Sequence, residues 1–93
     1  MKNILKRLEK FRDDRDWEKY HQPAELARAI GIEAAELNEL FLWTNEPLNS
    51  RVKEELADVM IYCLNMCIAK GLDPVEIIND KIDLNAVKYP PTH

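Results

Sequence analysis

In Lys70-Gly71-Leu72-Asp73-Pro74-Val75-Glu76 one helix stops and the next begins. Gly71 suits the residue just past a helix end, where left-handed backbone is needed. Asp73 suits an N-cap, Pro74 the first helical position and Glu76 the third. Working back from Gly71, the preceding helix reaches to an N-cap at Ser50. Working forward, the following helix covers 74–88 and stops before Pro90-Pro91. Pro23 opens an earlier helix, predicted to run to Trp43, and Thr44–Asn49 forms a loop with turn chemistry. Gly31 inside that helix costs about 1 kcal/mol relative to Ala, which predicts a close approach there. Ile4, Leu5, Leu8 and Phe11 make a narrow helical stripe; Asp13-Asp14-Arg15-Asp16 marks a bend, and Trp17–His21 reads as loop or irregular helix. No strand pattern or repeat occurs, so the predicted fold is an all-α, four-helix bundle.

The 93 residues carry 13 Lys+Arg against 17 Asp+Glu, a net charge of −4. The length predicts a single domain over 1–93. The acidic balance argues against a nucleic-acid polymer held on a cationic face. The apolar runs are too short and too often interrupted by charge to span a bilayer, and Met1–Lys6 lacks the apolar core of a signal peptide. The expected location is cytoplasmic. Cys63 and Cys67 read as buried reduced thiols, since two thiols without neighbouring His make neither a disulfide framework nor a zinc site. A chain this short buries a modest share of its surface, which predicts a core shared with a second copy.

Acids fall where apolar residues belong. In the helix from Pro23 the stripe is Leu26, Ala29, Ile30, Leu37 and Leu40, and Glu33 lies in its middle. Glu36 lies roughly 60° to one side and Glu39 roughly 120° round, closer to solvent. The next helix has an inward face of Leu56, Val59, Cys63 and Met66. Beside it, within roughly 60°, stand Glu55, Asp58 and Tyr62. Desolvating an unpaired carboxylate costs several kcal/mol. The acids are therefore protonated, paired with bases, or bound to a cation. Arg28 and Lys53 point away by helical phase, so a divalent cation is the economical reading. All-oxygen ligands with no paired His or Cys favour Mg²⁺, with Mn²⁺ or Ca²⁺ as alternatives. His occurs only at 21 and 93, which weakens a di-iron reading built on Glu-x-x-His pairs. A lone Glu-x-x-Glu on a helix is ordinarily a solvated face; two acid pairs breaking stripes in consecutive helices are not ordinary. Trp17, Trp43 and Tyr62 stand near these acids, Trp43 expected about a turn beyond Glu39. Each alone reads as core packing; together they suit stacking on a nucleobase.

These residues resemble the MazG-like, all-α nucleoside triphosphate pyrophosphohydrolases. The pattern is Glu33-Ala34-Ala35-Glu36 followed by Glu55-Leu56-Ala57-Asp58. The dCTP pyrophosphatase branch is the nearer likeness, through Asp16-Trp17-Glu18-Lys19-Tyr20-His21-Gln22-Pro23, Glu36–Trp43, Glu54–Tyr62, and Lys81-Ile82-Asp83 with Asn85 and Tyr89-Pro90. Ile32 before Glu33 suits that branch, whereas the loop 44–53 is short for it.

The resemblance implies cleavage of a (deoxy)nucleoside triphosphate between the α and β phosphates, giving monophosphate and pyrophosphate. It implies Mg²⁺ on Glu33, Glu36, Glu55 and Asp58, with Glu36 and Glu39 as candidate general bases. It places Trp17, His21, Trp43, Tyr62 and Asn85 on base and sugar, and Lys81 and Tyr89 on phosphates. It also implies a bundle completed by oligomerisation, as a homodimer or a tetramer of two dimers, and a role in nucleotide-pool cleaning. Two other classes remain open: a catalytically silent, nucleotide-binding regulatory bundle, and a purely structural helical oligomer.

Overall fold

A computed structural model of the chain describes residues 1–92; His93 lies outside the described residues. Its elements are α1 (Lys2–Asp14), a 3₁₀ turn (Glu18–Tyr20), α2 (Pro23–Glu39), α3 (Asn49–Lys70) and α4 (Pro74–Lys88), with no strand among the described residues. No helix of them is long and apolar enough to cross a membrane.

The caps read from sequence set the elements. Gly71 is left-handed (φ 66°), and Leu72 N–H reaches back to Cys67 O at 2.8 Å. Asp73 Oδ1 accepts from Val75 N–H at 2.9 Å and from Glu76 N–H at 3.3 Å, satisfying two otherwise orphaned donors of α4. The bend after α1 is built the same way as the end of α3. Asp16 takes φ 54°, Trp17 N–H bonds Arg12 O at 3.0 Å and Asp16 N–H bonds Asp13 O at 3.1 Å. Asp tolerates this left-handed backbone better than most residues.

Four expectations change. α2 ends at Glu39, not Trp43, because the backbone tightens into three-residue turns: Leu40 N–H to Leu37 O, Phe41 N–H to Asn38 O and Leu42 N–H to Glu39 O. α3 starts at Asn49 with Leu48, not Ser50, in the N-cap position. A Cβ on Gly31 would meet nothing within 4 Å, so no close approach inside the chain requires that glycine. Cys67 is buried but Cys63 is exposed, as is Leu56. The apolar face assigned to α3 therefore reaches past what one chain covers.

The α2–α3 pair forms the main contact, α1 lies more lightly on α3, and α4 extends away from them. Leu26, 1% exposed, is the one large side chain fully enclosed among the described residues. The chain exposes 7619 Å², whereas a compact monomer of 10.9 kDa exposes about 5,600 Å². Its radius of gyration is 15.9 Å, against about 12 Å for a compact chain of this length. Much of the excess is apolar: on α4, Val75, Ile77, Ile78, Ile82, Leu84 and Val87 are all exposed.

Candidate active site

The α2–α3 contact carries the acids. One carboxylate oxygen each from Glu33, Glu55 and Asp58 lie within 4.8 Å of one another, Glu33 and Glu55 half-buried and Asp58 exposed. Glu33 Oε2 and Glu55 Oε2 are shielded from water and have no hydrogen-bond partner. Such atoms are costly to bury unless something cationic meets them. Burial raises the Glu33 carboxyl above its usual pKa, and Glu36, Asp58 and Glu55 add to the rise. Burial likewise raises Glu55, reinforced by Glu36 and Asp58, while Arg51 opposes the rise. The ion pairs among the described residues lie elsewhere: Lys10–Asp14, Arg12–Asp13 and Lys19–Asp16. Acids gathered without an ion-pair partner, with two oxygens unpartnered, fit a hard divalent cation on oxygen ligands.

The shifts fix a pH dependence. Without metal, Glu33 and Glu55 in the folded chain hold protons above the carboxylate value of 4.5 at which the unfolded chain releases them. The folded state then binds more protons, so its stability falls as pH rises from about 4.5 through the raised pKa values. A divalent cation binding these carboxylates would have to displace those protons in acid. Thermal melts with and without Mg²⁺ are therefore expected to show a larger stabilisation at pH 7.5 than at pH 5; equal shifts would mean these carboxyls do not meet the ion.

Two hollows flank the acids. One, of about 590 Å³, is lined by Glu36, Glu39, Arg51, Glu55, Leu42 and Trp43 among others. The second, of about 240 Å³, brings together Trp17, His21, Tyr62, Arg12, Asn65 and Asp58. Asp58 thus belongs both to the acidic trio and to the aromatic hollow. Trp17 is set there by the turn at Asp16, and meets Phe11 edge to face with ring centres 5.7 Å apart. Burial, then the charge of Arg12, lowers the His21 pKa, keeping the imidazole neutral near pH 7.

The expected aromatic cluster is thereby split. Trp43, 94% exposed, lies in the turn after α2 and by the other hollow, because α2 ends early. Lys81, Asn85 and Tyr89 sit exposed on α4 or at its end and line neither hollow. Within one chain they do not join the acids. Sequence reasoning passed over Arg51, Arg12 and Asn65. Asn65 was within reach, since it follows Asp58 by seven residues and so shares its side of α3.

Fold and site together define a helical protein with an acidic cluster between two consecutive helices that could hold a metal ion. The MazG-like family model matches residues 28–93, and the chain belongs to the MazG-like family. It is similar to dCTP pyrophosphatase 1 of Mus musculus, 33% identical over 97% of this chain and 59% of that protein. The Homo sapiens protein of the same name matches at 33% with the same coverage. The chain thus spans 59% of the length of these curated relatives. The crystal structure of a pyrophosphatase from Archaeoglobus fulgidus DSM 4304 is similar at a TM-score of 0.91 and 41% identity, over 98% of this chain and 93% of that one.

Proposed function

We propose that residues 1–93 act as a single MazG-like unit that hydrolyses (deoxy)nucleoside triphosphates to monophosphate and pyrophosphate, favouring dCTP or a related deoxynucleotide, in nucleotide-pool cleaning in the cytoplasm. The observation that carries this is the acidic trio within 4.8 Å, with two shielded oxygens that no donor meets. The relatives support the reaction class.

Glu33, Glu36, Glu55 and Asp58 would hold Mg²⁺, or Mn²⁺ in its place, and the ion's chemistry there is charge neutralisation on the phosphates and activation of water. Glu36 and Glu39 face the larger hollow, where a carboxylate can orient a water and take its proton. Trp17, His21 and Tyr62 receive the base in the smaller hollow, with Asp58 at its border. Trp43 closes over the substrate from the turn after α2. Lys81, Asn85 and Tyr89 serve a site on a neighbouring copy, reached when α4 packs across a homodimer or a dimer of dimers. A Lys there balances the charge that develops on leaving pyrophosphate.

The test is pyrophosphate release from dCTP. Release is expected with Mg²⁺, lost with EDTA and restored by excess Mg²⁺ or Mn²⁺. Binding of dCTP without release would favour the regulatory bundle, and no binding would leave a structural oligomer.

A further inference from the structure

Asn65 is 8% exposed, in the C-terminal third of α3, and its side chain makes no hydrogen bond among the described residues. It nonetheless lines the hollow that holds Trp17, His21 and Tyr62. Asn gains nothing from a helix interior, and its carboxamide atoms are not among the shielded unpartnered ones, so they open into the hollow where a ligand can meet them. A carboxamide carries an acceptor and two donor hydrogens in one plane. Arg12 offers donors only and Asp58, ionised, acceptors only. Neutral His21 also carries a donor and an acceptor, but its ring nitrogens point apart; among the residues lining the hollow, Asn65 alone sets the two side by side.

We propose that Asn65 determines base specificity by pairing with the Watson–Crick edge of the nucleobase stacked in this hollow. The inference rests on the nucleotide reading above and adds a residue to it. Every nucleobase edge presents neighbouring polar groups, and their order distinguishes one base from another. Arg12, held by Asp13 and lining the same hollow, adds donors that help set which order fits. The carboxamide supplies what stacking cannot, since every base has a π-face.

The experiment compares kcat/KM of wild type, Asn65→Leu and Asn65→Asp on the four dNTPs with Mg²⁺. Asn65→Leu is expected to compress the ratio between best and worst substrates by about tenfold, as expected for loss of one paired edge. Asn65→Asp keeps the shape and removes the donor. Its loss should therefore be smallest for dGTP, whose edge offers two adjacent N–H donors. Thermal melts identify a variant that fails to fold, and the near-isosteric Asp variant then decides. If both folded variants slow all four dNTPs by one common factor, Asn65 is packing and the inference falls. If wild type releases no pyrophosphate at all, the hydrolase reading falls separately. Selectivity is then read from tryptophan-fluorescence quenching by the same dNTPs, with the same compression expected; an unchanged ratio would overturn the assignment of Asn65.

Discussion

Asp58→Asn is expected to lower pyrophosphate release by about 10²–10³-fold, the scale seen when one group aimed at developing charge is removed, while raising the melting temperature of the metal-free protein. The two effects have one cause. Asp58 stands with Glu33 and Glu55 in a trio of like charges, and it pushes both carboxyls toward their protonated forms. Asparagine has nearly the same shape but no charge, so the metal-free cluster relaxes. On the proposed ligand set the same loss removes a ligand, so the stabilisation by Mg²⁺ at pH 7.5 should shrink or vanish. Asp58 is exposed and outside the enclosed core, so the fold should survive. Glu36→Gln should behave alike in activity. Opposite movement of activity and metal-free stability is the signature of a ligand. A surface acid would move neither, and full activity in both variants would sink the assignment.

Ile78→Asp combined with Ile82→Asp is expected to reduce the protein to a monomer and lower its melting temperature by roughly 10 °C or more, given about 4–8 °C per kcal/mol for a domain this small. Ile78 is 54% and Ile82 56% exposed, four residues apart on one side of α4. The surface in excess of a compact monomer amounts to about 2,000 Å² on each chain, more than the roughly 800 Å² per partner of a standard interface. An unpaired carboxylate in such an interface costs several kcal/mol. Activity should fall with the assembly, since Lys81, Asn85 and Tyr89 travel on α4. Sedimentation would read the size. A wild-type chain that is already monomeric would contradict the account, and so would a double variant that keeps its assembly.

The helices were legible where local chemistry is strong. Gly71, the Asp73-Pro74 pair and Pro23 each meet a backbone need that few other residues meet. The end of α2 was not legible, because Leu40-Phe41-Leu42-Trp43 continues an apolar run without a breaker. What stops the helix is a tightening of backbone hydrogen bonds that no side chain announces. The acids were legible because charge in an apolar stripe violates the helical period. The aromatic residues were legible as types but not as a group: Trp17 and Tyr62 share a hollow, whereas Trp43 turns to the other. Periodicity also marked Leu56 and Cys63 as inward, and it says nothing of which chain covers them. Arg51 carried no sequence signal of its own, yet it lines the larger hollow and acts on Glu55.

The central claim is cleavage at the α-phosphorus by a carboxylate-bound divalent metal. It is tested most directly by incubating the purified chain with each dNTP and Mg²⁺ and separating the products. Monophosphate and pyrophosphate in equal amounts, with EDTA abolishing both, is the predicted result. Diphosphate and orthophosphate, or turnover indifferent to EDTA, would contradict it.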